Sequence, residues 1–147
     1  MKTGDAIFVI GMGRSGTSAV ARILALCGAA LPARLMPPNF ANPTGYWEPQ
    51  RAAEINEAFL SAHDSSWYDG SLILQMGLVG AAERRRFVSE IVEFLDTEYA
   101  PDATIVLKEP RITGLLPYWL AAARERGMPV KFVHVVRAPA EVAASLH

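Results

Sequence analysis

The chain has one cysteine, Cys27, among 147 residues. A single thiol excludes an internal disulfide and a metal site built from several cysteines, and it fits a reducing compartment. Packing at the end of a helix is its expected role. Excess charge is missing too, since 14 Lys and Arg face 15 Asp and Glu for a formal charge of −1. No broad basic field is available to hold nucleic acid, so any anion must be gripped by a few placed cations. Long hydrophobic runs are also lacking. Ala6-Ile7-Phe8-Val9-Ile10 is far too short for a transmembrane segment or a signal-peptide core and gives way to glycine. It reads as a strand, and a cytoplasmic protein is expected. What remains, with 51% hydrophobic and 20% charged residues and no internal repeat, is the balance of a single domain over 1–147.

The apolar run 6–10 bounded by glycine is the pattern of a parallel strand buried on both faces. A helix is expected from Gly16, with Val20, Ile23, Leu24 and Cys27 at helical spacing and Gly28 as its stop. Residues 31–49 carry Pro32, Pro37, Pro38, Pro43 and Pro49 and read as a long loop, which in a compact domain is more often functional than idle. Helical periodicity resumes over 50–62 and 81–99. Glu83-Arg84-Arg85-Arg86, opening the second of these helices, reads as a solvated face. Residues 104–107 and 132–136 read as two more buried strands, separated by a helix over 114–126, and a last helix opens at Pro139 and runs to the chain's end at His147. Strands alternating with helices predict an α/β fold with a central parallel sheet and a ligand crevice at the carboxyl ends of the strands.

Gly11-Met12-Gly13-Arg14-Ser15-Gly16-Thr17-Ser18 has the glycine spacing of the G-x-x-x-x-G-K-[ST] phosphate loop, set between a strand and a helix as that motif requires. The glycines let successive N–H groups curl inward, and the following helix adds the positive end of its dipole. Thr17 stands where nucleoside triphosphatases place their lysine, and the cation has moved to Arg14. The two later strands end at Lys108 and Arg137, where magnesium-dependent enzymes of this kind commonly end a strand in aspartate. Arg14, Lys108 and Arg137 are therefore expected to converge on an anion without a metal ion.

These residues resemble the PAPS-dependent sulfotransferases, bacterial members above all (PAPS is 3′-phosphoadenosine 5′-phosphosulfate). The resemblance rests on the loop Gly11–Ser18, on Arg137-Ala138-Pro139 followed by Ser145, on Lys108-Glu109-Pro110-Arg111 with Leu115-Leu116-Pro117 and Trp119, and on Gly45-Tyr46-Trp47-Glu48. It implies a phosphate-loop-type three-layer fold in which Gly13, Arg14, Ser15, Gly16, Thr17 and Ser18 bind the 5′ side of PAPS. Arg137 and Ser145 would hold the 3′-phosphate. The implied reaction moves a sulfuryl group from PAPS to a hydroxyl or amine of a small-molecule or carbohydrate-like acceptor. Family members run beyond the second phosphate site, so the resemblance also implies a domain short at its C-terminal side, completed by a further segment or by a second copy. Ala138 departs from the family, which often carries a polar residue there.

Arg14 is the candidate for meeting charge on the leaving phosphate oxygen. Lys108 either offers a second cation to the transferring group or caps an exposed strand end. Pro110 stands where some members carry a catalytic histidine, and the resemblance implies Glu48 as the base instead, at the end of Gly45-Tyr46-Trp47-Glu48 where carbohydrate-type members place an acidic one. Glu48 alternatively faces the dipole of the helix that follows it. Glu109 and His63 are reserves, with Glu109 also able to pair with Arg111 and His63 to end its helix. His134, between valines, reads as a core histidine. Trp47, Trp67 and Tyr68 serve either acceptor stacking or packing. Two other functions compete: a magnesium-dependent phosphate-loop kinase or hydrolase, disfavoured by the missing lysine and aspartate, and a noncatalytic nucleotide-binding fragment.

Overall fold

The computed structural model describes residues 4–40, 42–69, 71 and 78–145. Strand β1 (Ala6–Ile10) is followed by α1 (Thr17–Leu26), α2 (Gln50–Ser61), α3 (Ala81–Glu98), β2 (Ile105–Leu107), α4 (Pro110–Gly114), α5 (Leu116–Glu125), β3 (Val130–His134) and α6 (Pro139–Ala144). The strands form one parallel sheet in the order β2-β1-β3. Strand alternation divides the core between the two faces of that sheet. Ala6, Phe8, Ile105 and Leu107 join the larger cluster with Ile55 and Phe59 of α2, Phe87 and Ile91 of α3, and Trp119 of α5. On the opposite face Val9 and Val106 pack on Ala21 of α1. The result is an α/β protein whose three-stranded parallel sheet is flanked by helices. Among the described residues no helix is long and apolar enough to cross a membrane.

The helices expected at 50–62 and 81–99 form with their apolar stripes buried, and residues 31–49 contain no helix or strand among those described. Other elements differ from expectation. Helix α1 buries Thr17 and Ala21, with Val20 and Leu24 only partly covered, while Ile23 is 58% exposed and Cys27 lies on the surface. The helix has rolled so that its small residues meet the sheet, and Cys27, beyond the last turn, does not pack in the core. The helix expected at 114–126 is two helices joined at Leu115, because Pro110 and Pro117 each start a short segment with the ring at the first turn.

Strand β3 begins at Val130 rather than 132 and is not buried. It pairs only with β1, and Phe132, although edge-on to Phe8 at 5.9 Å, remains 47% exposed. His134 is likewise exposed, so its reading as a core histidine is overturned. The other edge strand, β2, is buried with Ala30 bridging its outer side, whereas among the described residues β3 has no such neighbour beyond β1. Arg137 consequently lies three residues beyond the strand, in the turn that leads into α6. That helix ends at Ala144 with Ser145 as its cap, and the expected continuation through His147 falls outside the described residues.

Candidate functional site

The loop between β1 and α1 is shaped by three residues with positive φ. Gly11 at 149° passes so close to β3 that a Cβ there would sit 2.5 Å from the Val135 carbonyl oxygen. Only glycine fits that crossing. Gly16, at 94°, is the residue preceding α1. Arg14 adopts φ 67°, a left-handed conformation that a side chain with a Cβ occupies only at a cost of about 1–3 kcal/mol. Sequence spacing carries no mark of that strain. Ser15 and Thr17 are buried beneath the loop, and Ser18 is half-buried.

Two bonds tie this loop to the far end of the chain. Arg14 Nε donates to Ser145 Oγ at 2.9 Å, and Arg137 Nη1 donates to the Arg14 carbonyl at 3.0 Å. Arg14, Arg137 and Ser145 are thus brought together from segments more than 120 residues apart, at the carboxyl side of the sheet where Val135 still donates to Ile10. Arg137 also bonds Glu141 at 3.1 Å, so its surface ion pair and its contact with the loop coexist.

A second cluster adjoins the loop through Ser18. The Tyr46 carbonyl accepts from Ser18 Oγ at 3.2 Å and from Lys108 Nζ at 3.3 Å. Lys108 Nζ also forms a close ion pair with Glu48, both side chains being almost completely buried. Lys108 therefore does not cap an exposed strand end. Nor does Glu48 cap α2: the helix has no side-chain cap, and the carboxylate turns to the lysine instead. Burial pushes the Glu48 carboxyl above its ordinary range. Lys108 opposes that shift, the nearby Glu109 charge reinforces it, and Arg111 opposes it more weakly. Between Tyr46 and Glu48 stands Trp47 at φ 57°, a second strained residue, whose ring lies 5.4 Å from the Arg22 guanidinium.

The reserve candidates fall elsewhere. Glu109 is buried among Asn56 and Arg111, one residue from Lys108. His63 Nδ1 donates to the Phe59 carbonyl at 2.8 Å and its other nitrogen lies 3.6 Å from Glu83, as expected of a residue closing a helix. Trp67 and Tyr68 lean on one another at 3.8 Å and are exposed. Arg84, Arg85 and Arg86 lie on the surface, although Arg84 also stands 5.8 Å over the ring of Tyr118. Among the described residues no group of three or more His, Cys, Asp or Glu is placed to hold a metal ion.

Comparison of the chain with protein-family models, curated proteins and solved structures gave no match.

Proposed function

We propose that this chain transfers a sulfuryl group from PAPS to a hydroxyl or amine of a small-molecule or carbohydrate-like acceptor, on a fold of the phosphate-loop type. The observation that carries the reading is the meeting of Arg14, Arg137 and Ser145. Two segments that resemble the two halves of a PAPS grip are distant in sequence and adjacent in space. A guanidinium forks onto phosphate oxygens and a hydroxyl donates one further bond, so Arg137 and Ser145 suit a 3′-phosphate. The loop N–H groups, with Thr17 and Ser18, suit the 5′ side.

In the reaction the bond from sulfur to the phosphate oxygen breaks as a bond to the acceptor oxygen or nitrogen forms. Arg14 and Lys108 meet the charge gathering on the leaving phosphate and the passing sulfuryl group. The acceptor proton goes to Glu48, whose raised proton affinity suits a base. Lys108, held in place by Glu48, presents its ammonium to the sulfuryl oxygens. Fixed cations do the neutralising, so the reading requires no divalent metal. A cytoplasmic setting is part of the same proposal.

Affinity for adenosine 3′,5′-bisphosphate and for adenosine 5′-phosphate tests the division of the grip. Arg137→Ala should weaken the bisphosphate by roughly tenfold or more, the worth of one charge-assisted bond, and leave the monophosphate nearly unchanged. A loop merely loosened by loss of the Arg137 contact to Arg14 would weaken both nucleotides alike. Equal weakening in a folded variant therefore removes the 3′-phosphate role and, with it, the distinction from a generic nucleotide-binding protein.

A further inference from the structure

Beside Lys108 lies a buried polar network with no part in gripping the nucleotide. The Glu109 side chain has no exposed surface, yet it is fully engaged. One carboxylate oxygen accepts from Asn56 Nδ2 at 2.7 Å and from the Arg111 backbone N–H at 3.1 Å. The other accepts from Arg111 Nη1 at 2.6 Å. Asn56, itself buried within α2, accepts at Oδ1 from Trp119 Nε1 at 3.0 Å. Arg111 Nε reaches Glu57, the next residue of the same helix, at 2.7 Å.

The chemistry allows one arrangement of these groups. An indole N–H only donates and an ionised carboxylate only accepts, so the Asn56 amide must turn its oxygen to Trp119 and its nitrogen to Glu109. Such a network is costly wherever a member is left unpaired. Its topology gives the cost a use. Helix α2 begins just after Glu48 and carries Asn56 and Glu57 along its length, while Lys108, Glu109 and Arg111 follow β2 almost consecutively. The same turn is thus gripped twice, by Glu48 just before the helix on Lys108 and by Asn56 within it on Glu109.

We propose that Glu109, clamped by Asn56 and Arg111 against Trp119, is a positioning residue that fixes Lys108 against Glu48 for the transfer step. The proposal rests on the sulfotransferase reading for its chemistry and on the network alone for its geometry. In Glu109→Gln one amide oxygen replaces two accepting oxygens, so an N–H of Asn56 or Arg111 meets the new NH2. Asn56→Asp combined with Glu109→Gln restores the bond between helix and turn with donor and acceptor exchanged. The carboxylate now on α2 accepts from Trp119 and from the amide now beside Lys108, and the net charge is unchanged.

Three measurements decide it. Competitive amine labelling with peptide mapping compares Lys108 with the exposed Lys131. In Glu109→Gln, Lys108 should label about tenfold faster relative to Lys131, release of adenosine 3′,5′-bisphosphate from PAPS should slow by a similar factor, and affinity for that bisphosphate should move less than about threefold. The double variant should recover both rates in part, because the Arg111 N–H shares the oxygen that the amide nitrogen replaces. Unchanged Lys108 labelling in folded Glu109→Gln overturns the proposal, as does a double variant no better than the single one, or nucleotide affinity falling in step with turnover. Should Glu109→Gln not fold, Trp119→Phe frees the Asn56 oxygen without touching a charge, and unchanged Lys108 labelling there is equally fatal. A wild-type chain that neither binds the bisphosphate nor consumes PAPS defeats the sulfotransferase reading instead, and labelling still settles whether Glu109 holds Lys108.

Discussion

A lysine and a glutamate that lose almost all contact with water are costly to separate, and this makes Lys108 and Glu48 a sensitive pair. Lys108→Met strands the carboxylate. Urea unfolding at pH 8 should show a loss of about 3–5 kcal/mol, whereas Glu48→Gln with Lys108→Met should cost much less because no buried charge is orphaned. The pH dependence has a definite sign. The Glu48 carboxyl is raised on folding, so between its ordinary value and its raised one the folded chain binds more protons than the unfolded chain. Its contribution to stability is then greatest below the ordinary carboxyl range and declines as pH rises through the raised value. Removing Lys108 extends that window upward, so the penalty of Lys108→Met should shrink as pH is lowered from 8 to 5. A penalty independent of pH would show that removing Lys108 does not change the proton affinity of Glu48. At this scale the sequence was legible in part: residue type and spacing singled out Arg14, Lys108 and Arg137, and the family resemblance added Glu48. It held no sign that Lys108 would be buried, that Arg14 and Trp47 would be left-handed, or that Asn56 and Trp119 would join Glu109, because each depends on partners more than 50 residues away or on backbone torsion.

Among the elements, the glycine loop separates the needs of the fold from those of a ligand. Gly11 is fixed by the fold, for any Cβ there would collide with the backbone of Val135, whose N–H continues the β1–β3 ladder. Gly13 has ordinary torsions and open space where a Cβ would go, so the folded chain makes no demand for glycine at that position. Gly11→Ala should therefore cost about 1–3 kcal/mol in urea unfolding, and Gly13→Ala about 0.5 kcal/mol or less. If phosphate approaches the loop backbone as proposed, Gly13→Ala should nevertheless lose affinity for adenosine 3′,5′-bisphosphate, a methyl group now standing in its path. A stable Gly13→Ala that binds as well as wild type would mean that phosphate lies elsewhere. Element identity was the most legible part of the sequence. Periodicity located α2 and α3 within a residue or two because their stripes meet one continuous core. It misjudged α1 and β3, where an apolar residue at the right spacing meets no partner: Ile23 and Phe132 have the pattern of burial without the neighbours.

For the molecule as a whole, the sheet places both clusters at its carboxyl end while, among the described residues, one edge, β3, is left uncovered. Parallel ladders bond alternate residues to each side. Because Pro129 accepts from Ala6 and Val135 donates to Ile10, the backbone groups of Val130, Phe132 and His134 point away from β1. This edge and the adjoining Phe132 face are the most exposed part of the sheet, and they lie next to Arg137 and Ser145, half of the proposed nucleotide grip. A nucleotide bridging Arg137 and Ser145 to the loop after β1 would therefore cross-link the exposed edge to the central strand, and its binding energy should appear as global stability. At a free concentration of 100 times its Kd, a ligand of the folded state adds about 2.7 kcal/mol, which for a chain of this size is a rise of roughly 5–11 °C in Tm. Thermal unfolding should show that rise with adenosine 3′,5′-bisphosphate, without magnesium, and a smaller one with adenosine 5′-phosphate at the same concentration. ATP with magnesium should do no better than the monophosphate, because Thr17 stands where a triphosphate site places its lysine, and Lys108 and Arg137 follow the strands where it offers an aspartate. A larger shift with magnesium and ATP than with the bisphosphate would instead mark the site as that of a kinase or nucleotide hydrolase. No shift with any of them would leave a folded domain whose loop has the glycine spacing of a phosphate loop without the affinity.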